Sequence, residues 1–250
     1  MSNTTKIIEA VQLIKEAKYL VAFTGAGISV ESGIPPFRGE NGIWSRYDPG
    51  ILELRRYSDY PEETWPVIND LFYQYFSGAK PNEAHYFLAS LEKQGLRKYL
   101  ITQNIDNLHQ EAGSSKVIEY HGNSKWLVCM ECGERYSSEG IVLSSQVPRC
   151  PKDQAILKPD FIFFGEAIPD RAATRANVEA GKSDVFLLIG TTGEVMPASM
   201  VPRLAKNSGS KIIEINVEET VYTNSLTDIF LKGKAAEICT QLSEEFAFTN

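Results

Sequence analysis

A chain of 250 residues fits one large domain or one domain carrying a smaller module. Its hydrophobic share of 43% is too high for a disordered chain, and no apolar run approaches the ~18 residues of a membrane span. Lys and Arg number 25 against 32 Asp and Glu, and a net charge of −7 lacks the broad basic face that duplex binding needs, so no direct nucleic-acid partner is expected.

Ile7, Ile8, Val11, Leu13, Ile14 and Ala17 recur at helical spacing behind Thr4 and Thr5, which predicts an opening helix. That start is charged and amphipathic without a signal-peptide core, which predicts a cytoplasmic protein. The run YLVAFTGAG reads as a buried strand opening into a glycine turn. Apolar runs at 99–102, 117–120, 185–189 and 212–215 are continuous rather than alternating, as parallel strands covered on both faces must be. Helical patterns at 82–94 and 197–206 lie between them, and 233–248 reads as a closing helix. Strands alternating with helices predict an α/β fold built on a Rossmann-like, doubly wound parallel sheet.

Two stretches break this rhythm. Residues 36–80 carry aromatics and prolines without a clear strand, and residues 124–157 carry three of the four cysteines. Neither is large enough to bury a core alone, so the two are expected to pack together as a small domain, a helical insertion plus a zinc-ribbon-like module. The larger domain then takes 1–35, 81–123 and 158–250.

In the turn after the first strand, Gly25 and Gly27 permit close approach of backbone to a ligand. A helix starting near Ser29 would aim free N–H groups at a pyrophosphate. Val30 stands where the usual dinucleotide fingerprint wants a third glycine, so a plain tight strand-to-helix turn explains the pattern equally well. A conventional dehydrogenase would also need an acidic residue at a strand end ~20 positions on. The segment GENGIWSRYD has no strand before it.

The continuation ISVESGIPPFRG places Phe37 and Arg38 just past the turn, and here the chain resembles the sirtuin (Sir2) family of NAD-dependent protein deacylases. Pro36 departs from the threonine common there. Four further segments extend the resemblance from about residue 6 to 245: TQNIDNLH at 102–109, EYHG at 119–122, PDFIFFGE at 159–166, and a carboxyl-half set comprising Gly190, Thr191, Thr192, Asn216 and Lys234-Ala235.

The resemblance implies an NAD-dependent protein-lysine deacetylase that yields nicotinamide, O-acetyl-ADP-ribose and free lysine. NAD would be held by Gly25, Ala26, Gly27, Phe37, Arg38, Gln103, Asn104, Ile105, Asp106, Gly190, Thr191, Thr192, Asn216 and Ala235. Asn104 and Gln103 would hold ribose and ordered water, Asp106 and Ile105 the carboxamide. His121, a neutral imidazole near pH 7, would take a proton from a ribose hydroxyl. His85 and His109 lie in predicted helices, where capping or packing explains them. An acetylated-lysine protein would pair with the strand-like edge Ile162, Phe163, Phe164, Gly165 and Glu166. Relatives that favour succinyl or malonyl groups carry Tyr-x-x-Arg in the helical insertion. The nearest segment here, Tyr73 to Phe76, ends in phenylalanine, so a neutral acyl group is expected. The competing reading is a catalytically weak NAD- or ADP-ribose-binding protein, or one that transfers ADP-ribose.

Cys129-x-x-Cys132 is an intact metal knuckle; after 17 residues comes Cys150-x-x-Asp153, with Asp153 where the family has cysteine. Carboxylate oxygen can ligate zinc, so a structural Cys₃Asp site is chemically sound, and a degenerate site stays open beside it. Cys239, on the closing helix, reads as a small core residue.

Overall fold

The structure, a computed structural model, describes residues 3–39, 42–74, 78–141 and 146–248. Its strands are β1 (Leu20–Thr24), β2 (Arg97–Thr102), β3 (Val117–Glu119), β4 (Gly122–Cys129), β5 (Arg135–Ser137), β6 (Leu157–Phe161), β7 (Val185–Ile189), β8 (Lys211–Asn216) and β9 (Ile229–Lys232). Its helices are α1 (Asn3–Glu16), α2 (Leu54–Asp59), α3 (Pro61–Asn69), α4 (Glu83–Lys93), α5 (Leu108–Glu111), α6 (Asp170–Lys182), α7 (Met200–Asn207) and α8 (Ala235–Phe248). Six strands form one parallel sheet in the order β3-β2-β1-β7-β8-β9. The strand order reverses between β1 and β7, and ligands of such sheets bind in the crevice outside the strand ends at that point.

The apolar runs are continuous because alternate residues serve two cores. On β1, Leu20 and Ala22 join the core under α1, α4 and α8, while Val21 and Phe23 join the one under α6 and α7. On β7, Leu187 and Ile189 face the first core, and Phe186 and Leu188 the second. Each Val, Leu, Ile or Phe among these, fully buried, contributes about 1.5–3 kcal/mol. Helix α4 starts where the sequence predicts, because Asn82 accepts from the Ala84 N–H and the Asn82 N–H donates to His85 Nδ1 in a capping box.

The two insertions do share a core. Tyr57, Trp65, Ile68 and Phe72 pack with Leu127, Cys129, Cys150, Leu157 and Phe161, and the Tyr57 hydroxyl donates to the Leu157 carbonyl at 2.7 Å. The small antiparallel sheet, β5-β4-β6, reaches past both expected cuts: β4 starts at Gly122 and β6 runs to Phe161. Among the described residues no helix is long and apolar enough to cross a membrane.

Candidate active site at the junction of the two sheets

The crevice at the β1/β7 reversal opens into a cavity of about 1000 Å³, roomy enough for a large ligand. Its floor is the meeting of two glycine turns. The Gly27 N–H donates to the Gly190 carbonyl at 2.9 Å, and a Cβ on Gly27 would lie 2.6 Å from Gly190 Cα. Close backbone approach is therefore spent first on the neighbouring turn. The helix after β1 is 3₁₀, runs Ala26–Ser32, and starts ahead of the expected Ser29.

All predicted NAD residues line the cavity except Asp106, and all five predicted peptide residues line it. The Asp106 carboxylate instead accepts from Ser29 Oγ at 2.7 Å, from Asn104 Nδ2 at 3.2 Å and from the Leu108 N–H at 3.0 Å. Asn104 Nδ2 also donates to Ser29 Oγ at 3.1 Å. Burial raises the Asp106 carboxyl pKa and these bonds pull it back. The structure thus makes Asp106 the anchor that orients Asn104. The Ser29 side chain carries no local signal of this role, because its partners Asn104 and Asp106 sit far along the chain.

His121 stands where the chain leaves one sheet for the other. The Tyr120 N–H still donates to Thr102 O, while His121 O already accepts from the Ile162 N–H at 2.8 Å. Gly122 then takes φ 78°, where a Cβ would lie 2.3 Å from Asp160 O. His121 Nδ1 sits 3.2 Å from the Gln103 carbonyl, which can only accept, so Nδ1 carries the proton and Nε2 keeps its lone pair. Burial lowers the His121 pKa and the Gln103 bond partly opposes it, so the ring is neutral at pH 7. Neither other histidine reaches the cavity. His85 caps α4 with its pKa pushed down to about 4, and His109 is buried with Nε2 2.9 Å from Thr24 Oγ1.

An aromatic wall covers this centre: Phe37 lies 5.5 Å from Trp44 and 6.3 Å from Phe72 between ring centroids. On the far side, Gln103 Nε2 donates to Thr191 Oγ1 and Asn216 Nδ2 to the Thr191 carbonyl, each at 3.0 Å. Arg38 Nε pairs with Glu194 at 3.4 Å, and Glu31 accepts from the Ala236 N–H at 2.6 Å, capping α8. Glycine backbone, hydroxyls and amides at one end and amides with an imidazole at the other fit a dinucleotide.

The peptide edge differs in detail from expectation. The Ile162 and Phe164 N–H groups already donate to His121 O and Leu52 O, the Phe163 N–H to Glu166 Oε2 and the Glu166 N–H to Phe163 O. Among the described residues only the Gly165 N–H of this stretch is left for an incoming strand, with the carbonyls of Ile162, Gly165 and Glu166 as acceptors. The Phe164 amide is taken because Phe164 bridges Glu53 of the helical insertion, while the Ile162, Phe163 and Glu166 amides are taken by His121 and by bonds within the stretch itself.

Cys129, Cys132, Cys150 and Asp153 bring one ligand atom each within 4.8 Å of one another. Zinc needs ligand atoms ~3.7 Å apart in a tetrahedron. The Cys132–Cys150 sulfurs stand 3.9 Å apart, and Asp153 Oδ1 is 3.5 Å from Cys129 Sγ. The donor set therefore fits zinc. The Ala155 N–H and the thiols hold the Asp153 pKa down to about 2, keeping the carboxylate ionised for a cation. None of the four lines the cavity, so a metal held there would stand apart from it. The purified protein is expected to carry one zinc, and Asp153→Ala to lose it to a chelator sooner, with a lower Tm. Zinc analysis with thermal unfolding checks this; a metal-free native protein indifferent to chelator would contradict it.

The Sir2 family model matches residues 25–197. The NAD-dependent protein deacylase of Pyrococcus furiosus is 44% identical over 247 residues, covering 95% of this chain and 96% of its own. The NAD-dependent protein deacetylase 1 of Pyrobaculum aerophilum is 43% identical over 245 residues, covering 96% of this chain and 94% of its own. A solved mutant Sir2 homologue in complex with ADP-ribose matches with a TM-score of 0.92 at 39% identity over 96% of each chain. A solved Sir2–p53 peptide–NAD⁺ complex matches with a TM-score of 0.89 at 34% identity, covering 96% of this chain and 98% of the other.

Proposed function

The chain belongs to the Sir2 family and is an NAD-dependent protein deacetylase, and from that premise we propose that His121 is its general base and that acetyl-lysine, or another neutral acyl-lysine, is what it accepts. One observation carries the assignment: of three histidines, His121 alone lines the cavity, neutral, with Nδ1 tied to the Gln103 carbonyl.

NAD supplies, when bound, a ribose carbon made electrophilic by departure of nicotinamide. The protein's part is positional. Ser29 and Asp106 fix the Asn104 amide beside that ribose, and Phe37, Trp44 and Phe72 exclude water from the reacting face. His121 Nε2 takes a ribose hydroxyl proton, and the Gln103 carbonyl stabilises the charged ring that results. An acetylated protein segment lies along Gly165 and its neighbours.

The neutral-acyl reading rests on the walls. Leu52, Phe72, Phe161 and Phe163 line the cavity, and the 65–76 stretch contains no Arg or Lys. Tyr75 and Phe76 of that stretch lie outside the described residues. Of the lining cations, Arg38 is paired with Glu194 and Lys234 with Glu237. A succinyl carboxylate would enter such walls unpaired, at a cost of a few kcal/mol, about 2 or more. Nicotinamide release from NAD is expected to depend on an acetyl-lysine peptide and to run at least about tenfold slower with its succinyl twin. Equal or faster succinyl turnover overturns the acyl assignment. Peptide-independent release, or ADP-ribosylated protein, overturns the deacetylase reading.

A further inference from the structure

Lys158 is a charged residue where charge is rarely found. It sits on β6 and only 5% of its surface is exposed. Its ammonium donates to the carbonyls of Pro159 and Phe161, both at 2.7 Å, and lies 3.0 Å from Glu166 Oε2. All three of its protons are thereby used. The Nζ also rests 4.4 Å from the Phe163 ring centroid. The same Glu166 oxygen accepts from the Phe163 N–H at 2.6 Å, and the Glu166 N–H donates to Phe163 O at 3.0 Å.

These contacts close the stretch from Phe161 to Glu166 into a strap. Gly165, at φ 90°, is its apex and carries the free N–H. Lys158 does not line the cavity, whereas Glu166 does. The ammonium therefore stands behind the strap and the carboxylate passes its position forward. A buried charge that loses its partner must relax or rehydrate, so the strap keeps this shape only while both members of the pair are present.

We propose that Lys158 is a positioning residue for peptide recognition: through Glu166 it holds the Gly165 N–H and the neighbouring carbonyls in register for the backbone of the acyl-lysine segment. This rests on the proposed pairing of substrate along the strap. It separates Lys158 from the NAD side of the cavity, where Thr191, Asn216 and Ala235 stand on other elements. Arginine is expected to serve in its place, since it also carries charge and several donors.

The test is steady-state kinetics of Lys158→Met, Lys158→Arg and Glu166→Gln, with peptide and NAD varied in turn. In Lys158→Met and Glu166→Gln, KM for the acetyl-lysine peptide is expected to rise about tenfold, with KM for NAD and kcat at saturating peptide within about twofold. Lys158→Arg is expected to recover most of the peptide KM. Should Lys158→Met fail to fold, Glu166→Gln carries the same prediction, because it keeps the ammonium's two carbonyl bonds. An unchanged peptide KM, or equal rises in both KM values, overturns the proposal. A peptide N-methylated at the amides flanking acetyl-lysine distinguishes the two levels. If the parent enzyme binds it as well as the unmodified peptide, the strap pairing itself is wrong. If it binds more weakly yet Lys158→Met and Glu166→Gln behave as the parent, the role of Lys158 alone is wrong.

Discussion

Replacing His121 with alanine is expected to lower peptide-dependent deacetylation by about 10²–10⁴-fold while ADP-ribose still binds. Among the described residues the imidazole makes one hydrogen bond, to the Gln103 carbonyl, so its loss removes a base without dismantling the turn. The other cavity-lining residues proposed to hold NAD stand on elements that alanine at 121 leaves in place. The pH profile of the native enzyme follows from the same site. Burial lowers the His121 pKa, so the basic form persists to lower pH than an ordinary histidine allows. The acid limb of kcat/KM is expected below pH ~6.5, with activity lost as pH falls through it. Turnover of the alanine variant near the native rate, measured by the deacetylated peptide formed, contradicts the assignment.

The second large effect is expected at Gly190. Its φ is 64°, and a Cβ there would lie 2.4 Å from Ile28 N and 2.6 Å from the Gly27 carbonyl carbon. Both are backbone atoms and neither can swing aside. Gly190→Ala should therefore push the β1 and β7 turns apart, costing about 2–4 kcal/mol of stability and at least about tenfold in NAD affinity. Gly33→Ala is the control. Its φ is 90°, but nothing lies within 4 Å of the added Cβ. Backbone strain alone predicts about 1 kcal/mol of stability and little change in affinity. Calorimetric titration with NAD alongside thermal unfolding separates the two. Equal losses of affinity in both variants would mean that the meeting of the turns does not set the site.

The contrast between these glycines shows where the sequence was legible. Gly25 and Gly27 announced a strand ending in a tight turn, and that turn is there. What they approach first is Gly190, in the turn after a strand far along the chain, which no local pattern reveals. The sheet was readable because β1 and β7 bury both faces and so contain no alternation. His121 was readable because its motif is contiguous and the other histidines fall on predicted helices. Asp106 was placed in the pocket by its motif, but its carboxylate is taken by Ser29, Asn104 and the Leu108 N–H. The stretch from Ile162 to Glu166 was expected as a strand-like edge, but β6 ends at Phe161, and the loss of the Phe164 amide to Leu52 depends on how the helical insertion folds over it. Lys158 was passed over because one lysine in an aromatic run gives no sign of which way it points.

Mass analysis of every product formed from NAD and an acetyl-lysine peptide, by the native protein and by His121→Ala in parallel, bears most directly on the account. The native protein should yield nicotinamide, O-acetyl-ADP-ribose and deacetylated peptide in equal amounts, and the variant almost none of the latter two. Free acetate in place of the acetylated nucleotide, or an unchanged product set from the variant, would show that the His121 imidazole is not the base around which this cavity is built.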